Sequence, residues 1–488
     1  MKKQFLCLFF IYGLTLTSCN GLSTGNVFTF IPNEENSTIY DGYYKPHKNS
    51  LRYNLQDINS QIGWKTSLAT GKQRILVVPV QLSDGPKWTE EKLTDLYNAF
   101  FGQTVAYYSV KDFFYESSYH QLMIDGKISD VLTSSYSVKK LDCYGASAPD
   151  YIIAEFKKTG LEQYRDYDLD NDGFIDNVVF IYSNNYLMSD ESAYWAWCTY
   201  YEDYNSNELT VNNYMWASYE FVNKRYQDNY NFDKVETHTY IHEVGHLLGL
   251  DDYYSYDSNW DPSGELDMQS YNVGDHNIFS KFALGWIEPY VITDETTITL
   301  RTSAKYPDAI LIKDTWNGSI FDEYLLIEYY TPTKLNLIDA LHPFEGITMY
   351  NYSGLRIYHV DARLVELAPT LMQDFVVRKY VDTMADTNKY FYYVGASNSQ
   401  DRSYLSSPYN KQYKYLHLLD EGEHNIINKG NGGSLDISNT LWRNNTFVPS
   451  GKFFINGDSF NDGEKINYEI SVSDLNSEQC VVNITKIN

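Results

Sequence analysis

Cysteine, positive charge and long apolar runs are all scarce in this chain. Its five cysteines, Cys7, Cys19, Cys143, Cys198 and Cys480, never form a C-x-x-C pair. That excludes a cysteine-built zinc site and a dense disulfide framework. Lys and Arg number 38 against 64 Asp and Glu, a net charge of −26, and no basic cluster interrupts the acidic surface. Such a surface repels phosphate backbones, so no nucleic-acid partner is expected. Beyond the N-terminus no stretch is long and apolar enough to span a bilayer. No repeat or low-complexity tract stands out. Tyrosine is abundant instead, with 47 residues spread over apolar and polar segments alike. We read it as compositional bias plus β-rich structure rather than a binding signature.

The N-terminus carries an address. Lys2 and Lys3 precede the short apolar run Phe5 to Leu16, the length of a signal-peptide core. The box Leu16-Thr17-Ser18-Cys19 resembles the bacterial lipoprotein cleavage site. The expectation is removal of residues 1–18 and a lipid on Cys19. That places the chain outside the cytoplasm, held to a bacterial membrane or cell surface through its N-terminal lipid only. Cys143, Cys198 and Cys480 then remain, enough for one bridge whose pairing the sequence does not specify. Oligomeric state leaves no trace in the sequence.

Residues 19–70 are polar and read as a tether or N-terminal extension. Residues 71–290 alternate strands with helices. Ile75 to Val80 and Val178 to Tyr182 have the apolar, β-branched pattern of buried strands. Thr89 to Phe101, Val110 to Ser117 and Pro149 to Lys158 read as helices, the first with Thr89 as its cap. Residues 291–488 carry short strands and few helices: Ala309 to Ile312, Tyr324 to Tyr329, Leu355 to Val360, Lys465 to Val472 and Cys480 to Ile484. The fold class expected is α/β (α+β), followed by a β-rich, sandwich-like C-terminal region.

The segment His242-Glu243-Val244-Gly245-His246 concentrates the chemistry. Asp233 and Glu236 fit a capping box opening a helix that runs to about Leu248. Histidines four apart project from one side of a helix, one turn apart, and two imidazoles so placed can grip one zinc ion. Glu243, beside the first ligand, is placed to take a proton from an attacking water and pass it to a leaving amine. Gly249 can stop the helix in a left-handed conformation, and the chain can then bring a carboxylate back to the metal. Spacing favours Asp252 as that third ligand over its neighbours Asp251, Glu265 and Asp267. Three protein ligands leave the open position that a catalytic zinc requires.

The extended pattern His242-Glu243-x-x-His246-x-x-Gly249-x-x-Asp252 resembles that of metzincin-type peptidases, with aspartate where most carry a third histidine. This variant, together with Ile75–Asp84, Ser109–Gly126, Tyr167–Asp176, Ser192–Cys198, Gly264–Trp286 and Gly354–Asp361, resembles the immune inhibitor A family of secreted bacterial metallopeptidases. The likeness covers about residues 70–365. It implies a metzincin-like catalytic domain, a catalytic Zn2+ and protein or peptide substrates. It also implies that Met268 forms an apolar floor beneath the metal, although an ordinary core methionine fits that position as well. Tyr271 is a candidate phenol for the oxyanion. It stands three residues after the methionine, where related enzymes that use such a tyrosine place it two after.

Asp168, Asp170, Asp172, Gly173 and Asp176 match positions 1, 3, 5, 6 and 9 of an EF-hand loop, but position 12 is Val179. The loop reads either as a Ca2+ site completed by a carbonyl and water or as a solvated acidic turn. His359 and Asp361 lie two apart on a strand and face the same side. A hydrogen-bonded pair is favoured there over a second metal. Two functions are carried forward: a zinc metalloendopeptidase, and, as the alternative, a surface lipoprotein that binds host or matrix protein around a structural or vestigial metal site.

Overall fold

The computed structural model describes residues 28–103, 108–186, 192–202, 208–222, 235–256, 260–264, 266–270, 274–341, 349–369, 375–399, 413–422, 433–434 and 440–487. The signal segment, Cys19, Asp233, Glu265 and Tyr271 lie outside them. Among the described residues helix accounts for 21% and strand for 30%, an α+β composition. No helix among the described residues is long and apolar enough to cross a membrane. Cys143, Cys198 and Cys480 form no disulfide among the described residues.

Ile75 to Val80 form the buried stretch of strand Gly71–Gln81. The strand is apolar on both faces because parallel neighbours flank it and side chains must be covered above and below. Leu122–Ile128 pairs parallel on one side of it and Val178–Tyr182 on the other. Asn213–Ser218 continues the sheet in parallel, and Trp197–Tyr200 closes it as an antiparallel end strand. Leu132–Thr133 pairs with the far end of the first strand. One face of this sheet packs on helix Ala148–Lys157 through Ile152, Ile153 and Phe156. Helix Glu90–Phe101 is opened by Thr89, whose hydroxyl accepts the Lys92 amide at 3.2 Å, with Glu90 and Glu91 facing the positive end of the dipole. Ser109 caps Val110–Ser117 in the same way. All these elements belong to one compact unit, formed by the described residues of 55–250.

The second unit comprises the described residues of 28–54, 251–341 and 349–487. Its seven-stranded sheet runs Ser37–Ile39, Tyr43–Pro46, Tyr290–Ile292, Ile310–Ile312, Glu323–Tyr330, Gly354–Asp361 and Leu416–Leu418. A three-stranded meander, Thr296–Arg301, Gln479–Lys486 and Tyr468–Ser473, supplies Ile298, Leu300, Val482, Ile484 and Ile470 to the same core as Ile310, Leu325, Ile327 and Ile357. Short helix Ile278–Ala283 packs on Glu323–Tyr330.

Two placements differ from the sequence reading. Residues 37–46, assigned there to a tether, hold the strand pair Ser37–Ile39 and Tyr43–Pro46, and the second of these pairs with Tyr290–Ile292, some 250 residues away. The units divide at 54/55 and 250/251, not at 70/71 and 290/291. Helix Ile278–Ala283 belongs with the β-rich unit because its apolar residues are buried on that unit's central strand.

Candidate metal centre

The helix carrying the motif spans His238–Leu247, shorter than the sequence indicates. Val235 makes a β-bridge, and residues 236 and 237 are not helical. A capping box counted from Asp233 therefore does not open it. Glu236 caps it instead, its carboxylate accepting the His238 amide, while the Thr237 hydroxyl donates to the Tyr108 carbonyl at 2.6 Å. Tyr240, Ile241, Val244 and Leu247 form the buried face. They bear on strands Asn213–Ser218 and Trp197–Tyr200. The Tyr240 ring stacks on Phe100 at 5.1 Å, and its hydroxyl donates to the Ser218 carbonyl at 3.0 Å.

The C-terminus is fixed as firmly. Gly249 takes a φ of +101°. Its amide reaches the His246 carbonyl at 2.9 Å and the Leu250 amide reaches the Gly245 carbonyl at 3.1 Å, the two bonds of a Schellman motif. The Leu247 carbonyl accepts from the Asn213 side chain at 3.0 Å and from the Ser67 amide at 3.0 Å, which ties the last turn to the sheet.

This stop turns the chain from His246 to Asp252. One ligand atom from each of His242, His246 and Asp252 lies within 4.8 Å of the others. The two Nε2 atoms face each other at 3.2 Å, with the rings nearly perpendicular at 85°. His246 Nδ1 stands 2.7 Å from the Leu250 carbonyl. A carbonyl can only accept, so Nδ1 carries the proton and Nε2 presents its lone pair. The Tyr256 hydroxyl donates to Asp252 Oδ2 at 2.6 Å. Glu243, 5% exposed, follows the first histidine.

The donor set fits a tetrahedral divalent ion. Metal–nitrogen bonds of about 2.0–2.1 Å at tetrahedral angles put two nitrogens about 3.3 Å apart, close to the separation found. Each half of the set also has an outer partner, a carbonyl behind one imidazole and a phenol behind the carboxylate, as metal ligands commonly do.

Other sequence candidates sort differently. Asp251 is exposed and outside the cluster. Asp267 accepts the Gln269 amide at 2.8 Å and the Asn277 amide at 2.7 Å, and burial pushes its carboxyl up to about 7. It holds a turn. Met268 is fully buried. In the acidic loop Asp168, Asp170 and Asp176 converge. Asp172 does not join them: its Oδ2 pairs with Lys65 at 3.2 Å and its Oδ1 accepts the Phe174 amide. Burial, then the neighbouring carboxylates, push Asp176 up to about 7 against the lowering effect of the Leu169 amide. Burial also raises Asp170. His359 pairs with Glu323 at 2.8 Å, and Asp361 pairs with Arg363 at 2.7 Å, so the expected hydrogen bonding on that strand runs to other partners.

Sequence reasoning missed Glu236 as the cap, the Leu250 carbonyl and Tyr256. Only Tyr256 left a signal, a phenol four residues after Asp252, and it is faint in so tyrosine-rich a chain. No protein-family model matches the chain, and no curated protein matches it.

Proposed function

We propose that this chain is a zinc-dependent endopeptidase, lipid-anchored on the outside of a bacterial cell, that hydrolyses peptide bonds of extracellular proteins. The observation that carries this reading is the pair of facing imidazole nitrogens, with Asp252 beside them and the buried carboxylate of Glu243 one residue from the first. A purely structural zinc has no use for that carboxylate. Zinc bound there supplies a Lewis acid that polarises the scissile carbonyl and lowers the pKa of a water to about 7. Glu243 takes the proton from the attacking water and returns it to the leaving nitrogen. His242, His246 and Asp252 hold the ion. The Leu250 carbonyl and Tyr256 hold the ligands.

The metzincin-like assignment is part of the same proposal. It is supported by a mixed sheet with an antiparallel end strand, a motif helix packed on that strand, and a glycine stop leading to the third ligand. The acidic loop is proposed as a Ca2+ site formed by Asp168, Asp170 and Asp176. The cation would offset the cost of crowding three carboxylates.

Metal analysis of the purified protein is expected to find about one zinc per chain, with proteolysis that chelators abolish. Glu243→Gln is expected to keep the metal and lower turnover by about 10²–10⁴-fold. Full activity in that variant would falsify the reading.

A further inference from the structure

The two histidine donors are set by the helix, but Asp252 and Tyr256 lie in the irregular segment beyond it. A ligand on such a segment loses the most freedom when a metal binds, so affinity depends on how far the chain is ordered beforehand. Tyr253, between the two, is fully buried and held from several sides. Its amide donates to the Gln269 carbonyl at 2.9 Å, and its hydroxyl meets Ser280 Oγ at 2.8 Å. Its carbonyl accepts from Ser263 Oγ at 3.2 Å and from Asn398 Nδ2 at 3.1 Å.

Asn398 is 145 residues further along the chain and 1% exposed. The same Nδ2 donates to the Leu416 carbonyl at 2.7 Å, and Oδ1 accepts the Leu416 amide at 3.1 Å. The side chain thus pairs with Leu416 as a neighbouring strand would, and leaves its other hydrogen for Tyr253. The next residue continues the hold: the Ser399 carbonyl accepts the Tyr256 amide at 2.8 Å. Tyr256 in turn donates its phenol to Asp252. Residues 398 and 399 therefore grip both ends of the segment 253–256 and fasten it to strand Leu416–Leu418. An aliphatic side chain offers no such donors, and a carboxylate would face two carbonyl oxygens.

We propose that Asn398 is a positioning residue for the metal centre, pre-ordering the segment from Asp252 to Tyr256 so that the third ligand meets the ion with little freedom left to lose. The inference rests on the zinc reading above.

The test compares zinc affinity, by competition with a chromophoric chelator, in the full-length parent, Asn398→Ala and Leu300→Ala. Leu300, buried in the core formed with the three-stranded meander, controls for a general loss of stability. Asn398→Ala is expected to bind zinc about tenfold more weakly, the low end of the range for outer partners of metal ligands. Leu300→Ala is expected to lower the melting midpoint and leave zinc affinity unchanged. Joining Asn398→Ala to Tyr256→Phe is expected to cost less than the product of the two single losses, because both act through one segment. Hydrogen exchange on the unaltered protein reads the same link in reverse: zinc is expected to slow the Leu416 and Tyr256 amides more than those of the meander strand Thr296–Arg301. That measurement decides even if Asn398→Ala fails to fold. Parent-like affinity in a folded Asn398→Ala overturns the inference, as do an equal loss in Leu300→Ala, single losses that simply multiply, or equal slowing of all these amides. A parent that binds no zinc overturns the metal reading itself.

Discussion

Tyr256→Phe removes one hydroxyl from the proposed metal site and keeps the ring. That hydroxyl donates to Asp252 Oδ2 over 2.6 Å, a short bond of the charge-assisted kind. Such bonds contribute about 1.5–3 kcal/mol. Asp252 is only half-buried, so water replaces part of the loss and the lower end applies, about 1.5–2 kcal/mol. At about 1.4 kcal/mol per factor of ten, zinc affinity is expected to fall about 10–30-fold. That lies within the range of about 10–100-fold for outer partners of metal ligands. Competition with a chromophoric chelator measures it, with circular dichroism as a check on folding. Asp252→Ala, measured in parallel, is expected to weaken binding further, because it removes a ligand and not merely the group that orients it. If Tyr256→Phe folds and binds zinc as tightly as the parent while Asp252→Ala does not, the orienting role is refuted. If neither variant loses affinity, the donor set itself is wrong.

Two further outcomes follow from the geometry. Gly249→Ala forces a side chain into a left-handed conformation, costing about 1–2 kcal/mol. Its Cβ would also meet Asn59 Nδ2 at 2.8 Å and Leu55 Cβ at 3.2 Å. Denaturant unfolding is expected to show a loss of about 2 kcal/mol or more, and an unchanged midpoint would count against the helix stop. Asp322 accepts two backbone amides, yet burial pushes its carboxyl up to about 7. Below about pH 4 it is protonated whether folded or not. Between there and about 7 only the unfolded chain ionises, so its contribution to stability falls as pH rises and then levels off. Asp267 acts in the same direction. The expected result is a melting midpoint that falls less steeply over this window in Asp322→Asn than in the parent. An identical slope would contradict the assignment.

What could be read from the sequence was what lies close together along the chain. Ile75 to Val80, the Thr89 cap and Val178 to Tyr182 declare their structure within a few residues, and each forms the element indicated. The candidate metal donors were legible for the same reason. His242 and His246 are set by the helical period, and Asp252 by a glycine whose left-handed φ turns the chain just past the helix. The cap was misread because Asp233 and Glu236 satisfy a local pattern. The actual start depends on Thr237 reaching the Tyr108 carbonyl, a contact across more than a hundred residues. Asp172 matched a calcium-loop position, but Lys65, remote in sequence, draws its carboxylate away. Strands Ser37–Ile39 and Tyr43–Pro46 look like polar linker because they lie at the margin of the sheet, where little apolar surface is needed, and the strand that anchors them, Tyr290–Ile292, lies far along the chain. The strand register that sets His359 opposite His417 is the extreme case, since no window of sequence contains it. Local codes set the candidate catalytic donors; long-range pairing sets what surrounds them, and a variant at Tyr256 probes what orients them.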